Sequence, residues 1–206
     1  QYYFDFRITG GNVLGNYKES IAIIIPALDP DERMVSLVGQ LHDDGFSNII
    51  LVDDGSLIAN RKYFKTCKET CHCKIIRHVV NFGKGIALKS AFNYILEQRP
   101  DIKGAVTVDC DGQHVLPDIN TCAKLTYEHP DSLILGCRQF DDKEIPLRSR
   151  FGNKLTRQMI RLLCGIHVSD TQTGLRGLPT PLIREHFANV KGERFEYEMN
   201  MLIAAK

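Results

Sequence analysis

Ala105-Val106-Thr107-Val108-Asp109-Cys110-Asp111-Gly112-Gln113-His114 joins a short apolar run directly to a cluster of carboxylates. A β-branched run of this length reads as a buried strand, and the Asp-Gly pair marks the turn that ends it. The same arrangement occurs upstream, where residues 48–52 lead into Asp53-Asp54-Gly55-Ser56. Residues 21–25, stopped by Pro26, and residues 74–79 read as two further strands. Between these runs the apolar spacing becomes helical. Met34, Val35, Val38 and Leu41 share a face closed by Asp43-Asp44-Gly45, residues 60–69 form a second helix, and Ile86, Ala87, Ala91 and Ile95 line a third after Gly83-Lys84-Gly85. Strands alternating with helices predict an α/β fold with a mostly parallel central sheet flanked by helices.

The second half is less regular. Residues 116–128 read as a helix and 132–135 as a strand ending at Gly136-Cys137-Arg138. A polar loop is expected over 139–146. Residues 149–163 read as a helix with Leu155, Met159, Leu162 and Leu163 on one side and Arg150, Arg157 and Arg161 elsewhere. A short strand over 175–178 and a final helix over 194–205 complete the pattern. Residues 1–19 have no assignment, and 20–206 read as one domain.

Composition narrows the function. The 206 residues suit one α/β domain, and 43% hydrophobic with 25% charged residues excludes a disordered chain. Lys and Arg number 26 against 25 Asp and Glu, so the basic excess of a nucleic-acid binder is missing. The apolar run over 21–28 falls far short of a membrane span. Residues 1–16 lack the charged start and apolar core of a signal peptide. Seven cysteines are present. Cys110, Cys122, Cys137 and Cys164 are scattered as reduced thiols would be. Cys67, Cys71 and Cys73 cluster with His72, but no second pair of ligands completes a zinc tetrahedron, so free thiols are expected there too.

In a sheet of this kind ligands bind beyond the carboxyl ends of the strands. Asp53 and Asp54 follow one strand, and Asp109 and Asp111 another. Two carboxylates one residue apart, with the oxygen of Gln113 nearby, suit Mg²⁺, which favours oxygen ligands and shares its shell with phosphates and water. Asp-x-Asp-Gly is also the composition of a turn whose side chains bond their own backbone. Gly83-Lys84-Gly85 at a helix start can present amides and an ammonium to phosphate. It is not a P-loop, since His78 and Gly85 occupy the positions of the first glycine and the Ser/Thr. Leu88 likewise breaks the dinucleotide fingerprint.

Five segments occur in a fixed order: Pro26-Ala27-Leu28-Asp29, Val52-Asp53-Asp54-Gly55-Ser56, Asn81-Phe82-Gly83-Lys84-Gly85, Asp109-Cys110-Asp111-Gly112-Gln113 and Asp170-Thr171-Gln172-Thr173-Gly174-Leu175-Arg176. Together they resemble family 2 glycosyltransferases of the GT-A fold. Within that family they resemble the polyprenyl-phosphate branch, which includes dolichyl-phosphate mannose synthases and bacterial undecaprenyl-phosphate sugar transferases. The resemblance runs from about residue 21 to residue 205.

The resemblance implies an inverting transfer of a sugar from a nucleotide-diphosphate donor to a polyprenyl phosphate, with Mg²⁺ or Mn²⁺. Pro26, Ala27, Leu28 and Asp29 would line the nucleotide base, although relatives usually have Asn-Glu where this chain has Asp-Pro. Asp53, Asp54, Lys84, Asp109 and Cys110 would surround the nucleotide sugar. Asp109, Asp111 and Gln113 fall on the metal motif. Arg138 and Arg148 fall where relatives orient the acceptor phosphate, with Arg150 competing for the second role, and Asp170 falls on an acidic catalytic position. A sugar-hydroxyl acceptor would instead need a carboxylate base, for which Asp170 is the candidate. The implied setting is the cytoplasmic face of a membrane, and relatives commonly continue into membrane helices, so the chain reads as a catalytic domain truncated before such a region. Three alternatives are a family 2 enzyme with a soluble or polysaccharide acceptor, a nucleotidyltransferase releasing pyrophosphate, and a non-catalytic nucleotide-sugar module.

Overall fold

The structure, a computed structural model, describes residues 2–3, 16–138 and 174–204, with backbone alone at 2–3 and 137–138. The expected helix over 149–163 and loop over 139–146 lie outside these residues. Strands β1 (Tyr2–Tyr3), β2 (Ile21–Ala27), β3 (Ile49–Asp53) and β4 (Lys74–Arg77) come first, followed by β5 (Gly104–Thr107), β6 (Ile134–Leu135), β7 (Cys137–Arg138) and β8 (Arg176–Pro179). Among them run helices α1 (Tyr17–Ser20), α2 (Glu32–Asp43), α3 (Arg61–Cys71), α4 (Lys84–Gln98), α5 (Leu116–Glu128), α6 (Thr180–Asn189) and α7 (Glu196–Ala204).

Six strands form the main sheet in the order β4-β3-β2-β5-β8-β6. The pairings β4–β3, β3–β2 and β2–β5 are parallel, whereas β8 runs antiparallel to both β5 and β6. A separate two-stranded antiparallel pair joins β1 to β7. Every residue of β2 is buried, because the strand lies near the middle of the sheet and has a helical layer on each face. Alternate side chains divide between the layers, as the two-residue strand period requires. Ile21, Ile23 and Ile25 pack with Met34, Leu37, Val38, Phe64 and Ile119 on one side. Ala22 and Ile24 pack with Leu88, Ala91, Phe92, Ile95 and Tyr197 on the other.

Pro26 does not end β2 as the sequence suggests; the strand continues through Ala27. The hydrogen bonds explain the continuation. Ile24 O accepts from Val108 N toward β5, while Ala27 O accepts from Asp54 N toward β3. Backbone groups two residues apart point the same way, so Pro26 turns its missing N–H toward β5. Pairing with β5 ends at Thr107, so no ladder bond is lost. The other strand and helix expectations within the described residues hold to within a few residues. Cys67 and Cys73 are buried in the core as free thiols, and burial pushes them up to about 11 and about 12, which leaves them unreactive.

Candidate active site

The strand order reverses between β2 and β5: β3 and β4 build outward from one side of β2, and β5 lies on its other side. Such a reversal opens a crevice at the carboxyl ends of the strands. A cavity of about 480 Å³ lies there. Pro26, Ala27 and Leu28 from the end of β2 line it, with Asp109, Cys110 and Asp111 from the end of β5. Asp54, Asn81, Gly83, Lys84 and Ala87 add the β3 end and the start of α4. Arg194, Phe195 and Glu198 close it from the segment that enters α7.

Lys84 is the electrostatic centre of this cavity. Its ammonium is 2.7 Å from Asp109 Oδ1 and 3.0 Å from Glu198 Oε2. Burial works to lower its pKa, but the carboxylates of Glu198 and Asp109 outweigh burial and hold it above the ordinary lysine value. Burial works to raise Asp109; the His114 hydrogen bond and the Lys84 charge overcome this and hold it well below the usual carboxylate range. His114 Nε2 lies 3.5 Å from Asp109 Oδ2. Asp109 is therefore an ionised carboxylate flanked on both oxygens. Gly174 completes its seat, since a Cβ at that position would come within 1.9 Å of Asp109 Oδ2. Cys110, between the two aspartates, is pushed up to about 11 by burial first and then by Asp111 and Asp109, so it is a neutral thiol.

Asp111 lines the same cavity and accepts the Gln113 amide on Oδ1 at 3.0 Å. The turn and the acidic site are thus one structure: the side-chain-to-backbone bond holds the carboxylate at the mouth. Gln113 is exposed and does not line the cavity. Among the described residues no group of three or more His, Cys, Asp or Glu is arranged to hold a metal ion. Asp111 presents at the cavity mouth the kind of carboxylate that Mg²⁺ or Mn²⁺ takes beside phosphate and water, whereas the two oxygens of Asp109 face Lys84 and His114.

The paired aspartates after β3 have separate tasks. Asp53 is fully buried; its Oδ2 is 2.7 Å from Arg77 Nε and its Oδ1 accepts from Ser56 N. It fixes the strand end and does not line the cavity. Asp54 accepts from Phe82 N at 3.0 Å and Gly83 N at 2.8 Å, and its Oδ1 is 2.7 Å from His78 Nδ1. It therefore pins the loop that delivers Lys84. Gly55 permits this approach. With φ +83°, its Cβ would lie 2.3 Å from the Val80 carbonyl carbon, so a side chain there would drive the two loops apart. Asp29, at φ 48°, bonds Leu57 N and Asn60 Nδ2 through Oδ1. It braces the neighbouring loop without lining the cavity.

The structure thus brings Pro26, Ala27, Leu28, Asp54, Lys84, Asp109, Cys110 and Asp111 to one cavity, and sets Asp29, Asp53 and Gln113 around it. The Arg138 side chain, Arg148 and Asp170 lie outside the described residues. Sequence reasoning missed Glu198, Arg176, His114, His78 and Arg194. Glu198 carried a signal, because it stands among Tyr197, Met201 and Leu202 on a face that has to be buried. Arg176 similarly lies within an apolar strand.

Two aspartates and a buried lysine thus meet at the switch point of a largely parallel sheet. The sequence matches the family model for glycosyl transferase family 2 over residues 23–187, and the chain belongs to that family. An uncharacterized protein of Methanocaldococcus jannaschii is 30% identical over 192 residues, spanning 92% of this chain and 76% of its own. The UDP-N-acetylglucosamine–dolichyl-phosphate N-acetylglucosaminyltransferase of Methanococcus voltae is 30% identical over 202 residues, spanning 90% of this chain and 80% of its own. This likeness agrees with the polyprenyl-phosphate branch. The glucosyl-3-phosphoglycerate synthase of Mycobacterium tuberculosis, solved with Mn²⁺, UDP-glucose and glycerol 3-phosphate, matches with a TM-score of 0.63 at 17% identity. It covers 96% of this chain and 70% of its own, and the likeness is one of fold, GT-A.

Proposed function

We propose that this glycosyltransferase moves a sugar from a nucleoside-diphosphate donor to a polyprenyl phosphate, inverting the anomeric carbon, with a divalent cation. The observation that carries the reading is the meeting of Asp109, Asp111 and Lys84 in a cavity of about 480 Å³ at the sheet's switch point. The acceptor class is supported by the Methanococcus voltae relative, whose name gives dolichyl phosphate as its acceptor.

Each residue has a chemical task. Pro26, Ala27 and Leu28 supply an apolar wall for the base, and Asp54 holds the loop against which the nucleotide rests. Lys84 offers a cation to the diphosphate. Asp111, with Asp109 and Gln113 beside it, would hold Mg²⁺ or Mn²⁺, which supplies Lewis-acid stabilisation to the departing nucleoside diphosphate when bound. A phosphate acceptor is already ionised near neutral pH and needs no general base. It does need cations to bring it against another anion, the role proposed for Arg138 and Arg148. Asp170 stands as the acidic group of the catalytic pocket. The proposed setting is the cytoplasmic surface of a membrane; among the described residues no helix is long and apolar enough to cross one.

The test is a product assay with UDP-N-acetylglucosamine, UDP-glucose and GDP-mannose, each with and without undecaprenyl phosphate, in Mn²⁺ and in Mg²⁺. Radiolabel in the lipid phase, with release of UDP or GDP, is the expected result. Donor hydrolysis without lipid product from any donor would overturn the acceptor assignment, and pyrophosphate release would indicate nucleotidyl transfer instead.

A further inference from the structure

We infer that Glu198, itself anchored by Arg176, is a positioning residue that holds Lys84 in the donor cavity. The inference rests on the donor site proposed above and extends it to a helix outside the five sequence motifs. Glu198 enters from α7, whereas Lys84 stands at the first position of α4. The two side chains meet at 3.0 Å, on a different carboxylate from the Lys84–Asp109 contact at 2.7 Å. Both members are buried: the Lys84 side chain is 13% exposed and that of Glu198 9%.

Burying a carboxylate here requires a second cation. Arg176, the largest fully buried side chain among the described residues, provides it. Its Nε is 3.7 Å from Glu198 Oε1, and its Nη1 donates to the Glu198 backbone carbonyl. The guanidinium therefore hydrogen-bonds the main chain of Glu198 and sets its charge beside the carboxylate, which fixes the first turn of α7. Asp109, Lys84, Glu198 and Arg176 alternate in sign, so the row is neutral overall and its burial is compensated.

The arrangement serves the donor. With Asp109 as its single partner, a lysine would swing with that carboxylate whenever a cation or diphosphate engaged it. Glu198 gives the ammonium a fixed second partner in the cavity wall. The approach of α7 is built in, because Ile86 N donates to Glu193 O, and Gly85 leaves room for Tyr197 and Glu193.

A double-mutant cycle on nucleotide binding tests this. UDP and GDP would be titrated calorimetrically, in Mn²⁺, into the whole chain and into Glu198→Gln, Lys84→Met and the double variant. Glu198→Gln is expected to weaken binding about tenfold, the scale of one charge-assisted hydrogen bond. It should cost little further in the Lys84→Met background, because the two act as a unit. Equal losses in both backgrounds overturn the inference and leave Glu198 a structural residue. Arg176→Lys, which keeps Glu198 and alters its anchor, should show the same non-additivity and serves if Glu198→Gln folds poorly. If the unaltered chain binds neither nucleotide, the functional reading fails and this inference with it; binding with additive losses removes the inference alone.

Discussion

Asp54→Ala strikes the joint between the two nucleotide-side loops. The carboxylate is nearly buried and accepts from the Phe82 and Gly83 amides while meeting His78 Nδ1. Alanine leaves both amides without an acceptor, and each stranded donor costs about 2 kcal/mol, or about 4 kcal/mol together. Against a total stability of about 5–15 kcal/mol the domain stays folded. At about 2–4 °C per kcal/mol for a chain of this size, Tm should fall by about 8–16 °C. Asp54→Asn keeps one acceptor oxygen but turns an NH₂ toward the other amide, so its fall should be intermediate. The same variants should weaken UDP binding, because the 81–83 loop carries Lys84. Thermal unfolding followed by circular dichroism, with UDP titration below Tm, reads both effects. A Tm change under about 3 °C for Asp54→Ala would refute the pinning argument, since it would mean that the amides find other acceptors cheaply.

Two further outcomes follow from single contacts. Gly174→Ala places a methyl group where Asp109 Oδ2 now stands, 1.9 Å from the added carbon; Mn²⁺-dependent UDP binding should fall at least about tenfold as the carboxylate is displaced, measured by calorimetry. His186 is 1% exposed, and burial, the larger influence, lowers its pKa against the smaller upward pull of Glu185. The unfolded chain therefore takes up the proton first as pH falls through about 6.5, so stability is lost in that direction. His186→Phe should remove part of the slope between about pH 7.5 and about pH 5.5 in urea-unfolding measurements, relative to the wild type.

The centre of the sheet was legible because β2, β3 and β5 are short, fully buried and carry β-branched residues, and Asp follows or ends two of them. Pro26 misled, because its cost depends on whether a neighbour needs the missing N–H, and only the register with β5 answers that. Helix α6 had no assignment in the sequence reading, although Pro181 at the first turn of Thr180–Asn189 is a helix-start signal. The cavity residues that lie in glycine-bounded loops were found, since backbone punctuation exposes them. Asp53 and Asp54 look alike in sequence, and their different tasks arise from which of Arg77 and the 81–83 loop each faces. Glu198 and Arg176 stayed hidden because their meaning is a partnership 22 residues apart, spanning a strand and a helix that carry no shared motif.

In the proposed reaction Asp111 would offer a carboxylate to a divalent cation shared with the donor diphosphate. Electron paramagnetic resonance of free Mn²⁺, titrated with protein and UDP, tests it without needing turnover. UDP should strengthen Mn²⁺ uptake by the wild type, and Asp111→Asn should weaken that UDP-dependent uptake at least about tenfold, the loss of one charged ligand. Equal Mn²⁺ uptake by both proteins in the presence of UDP would contradict it.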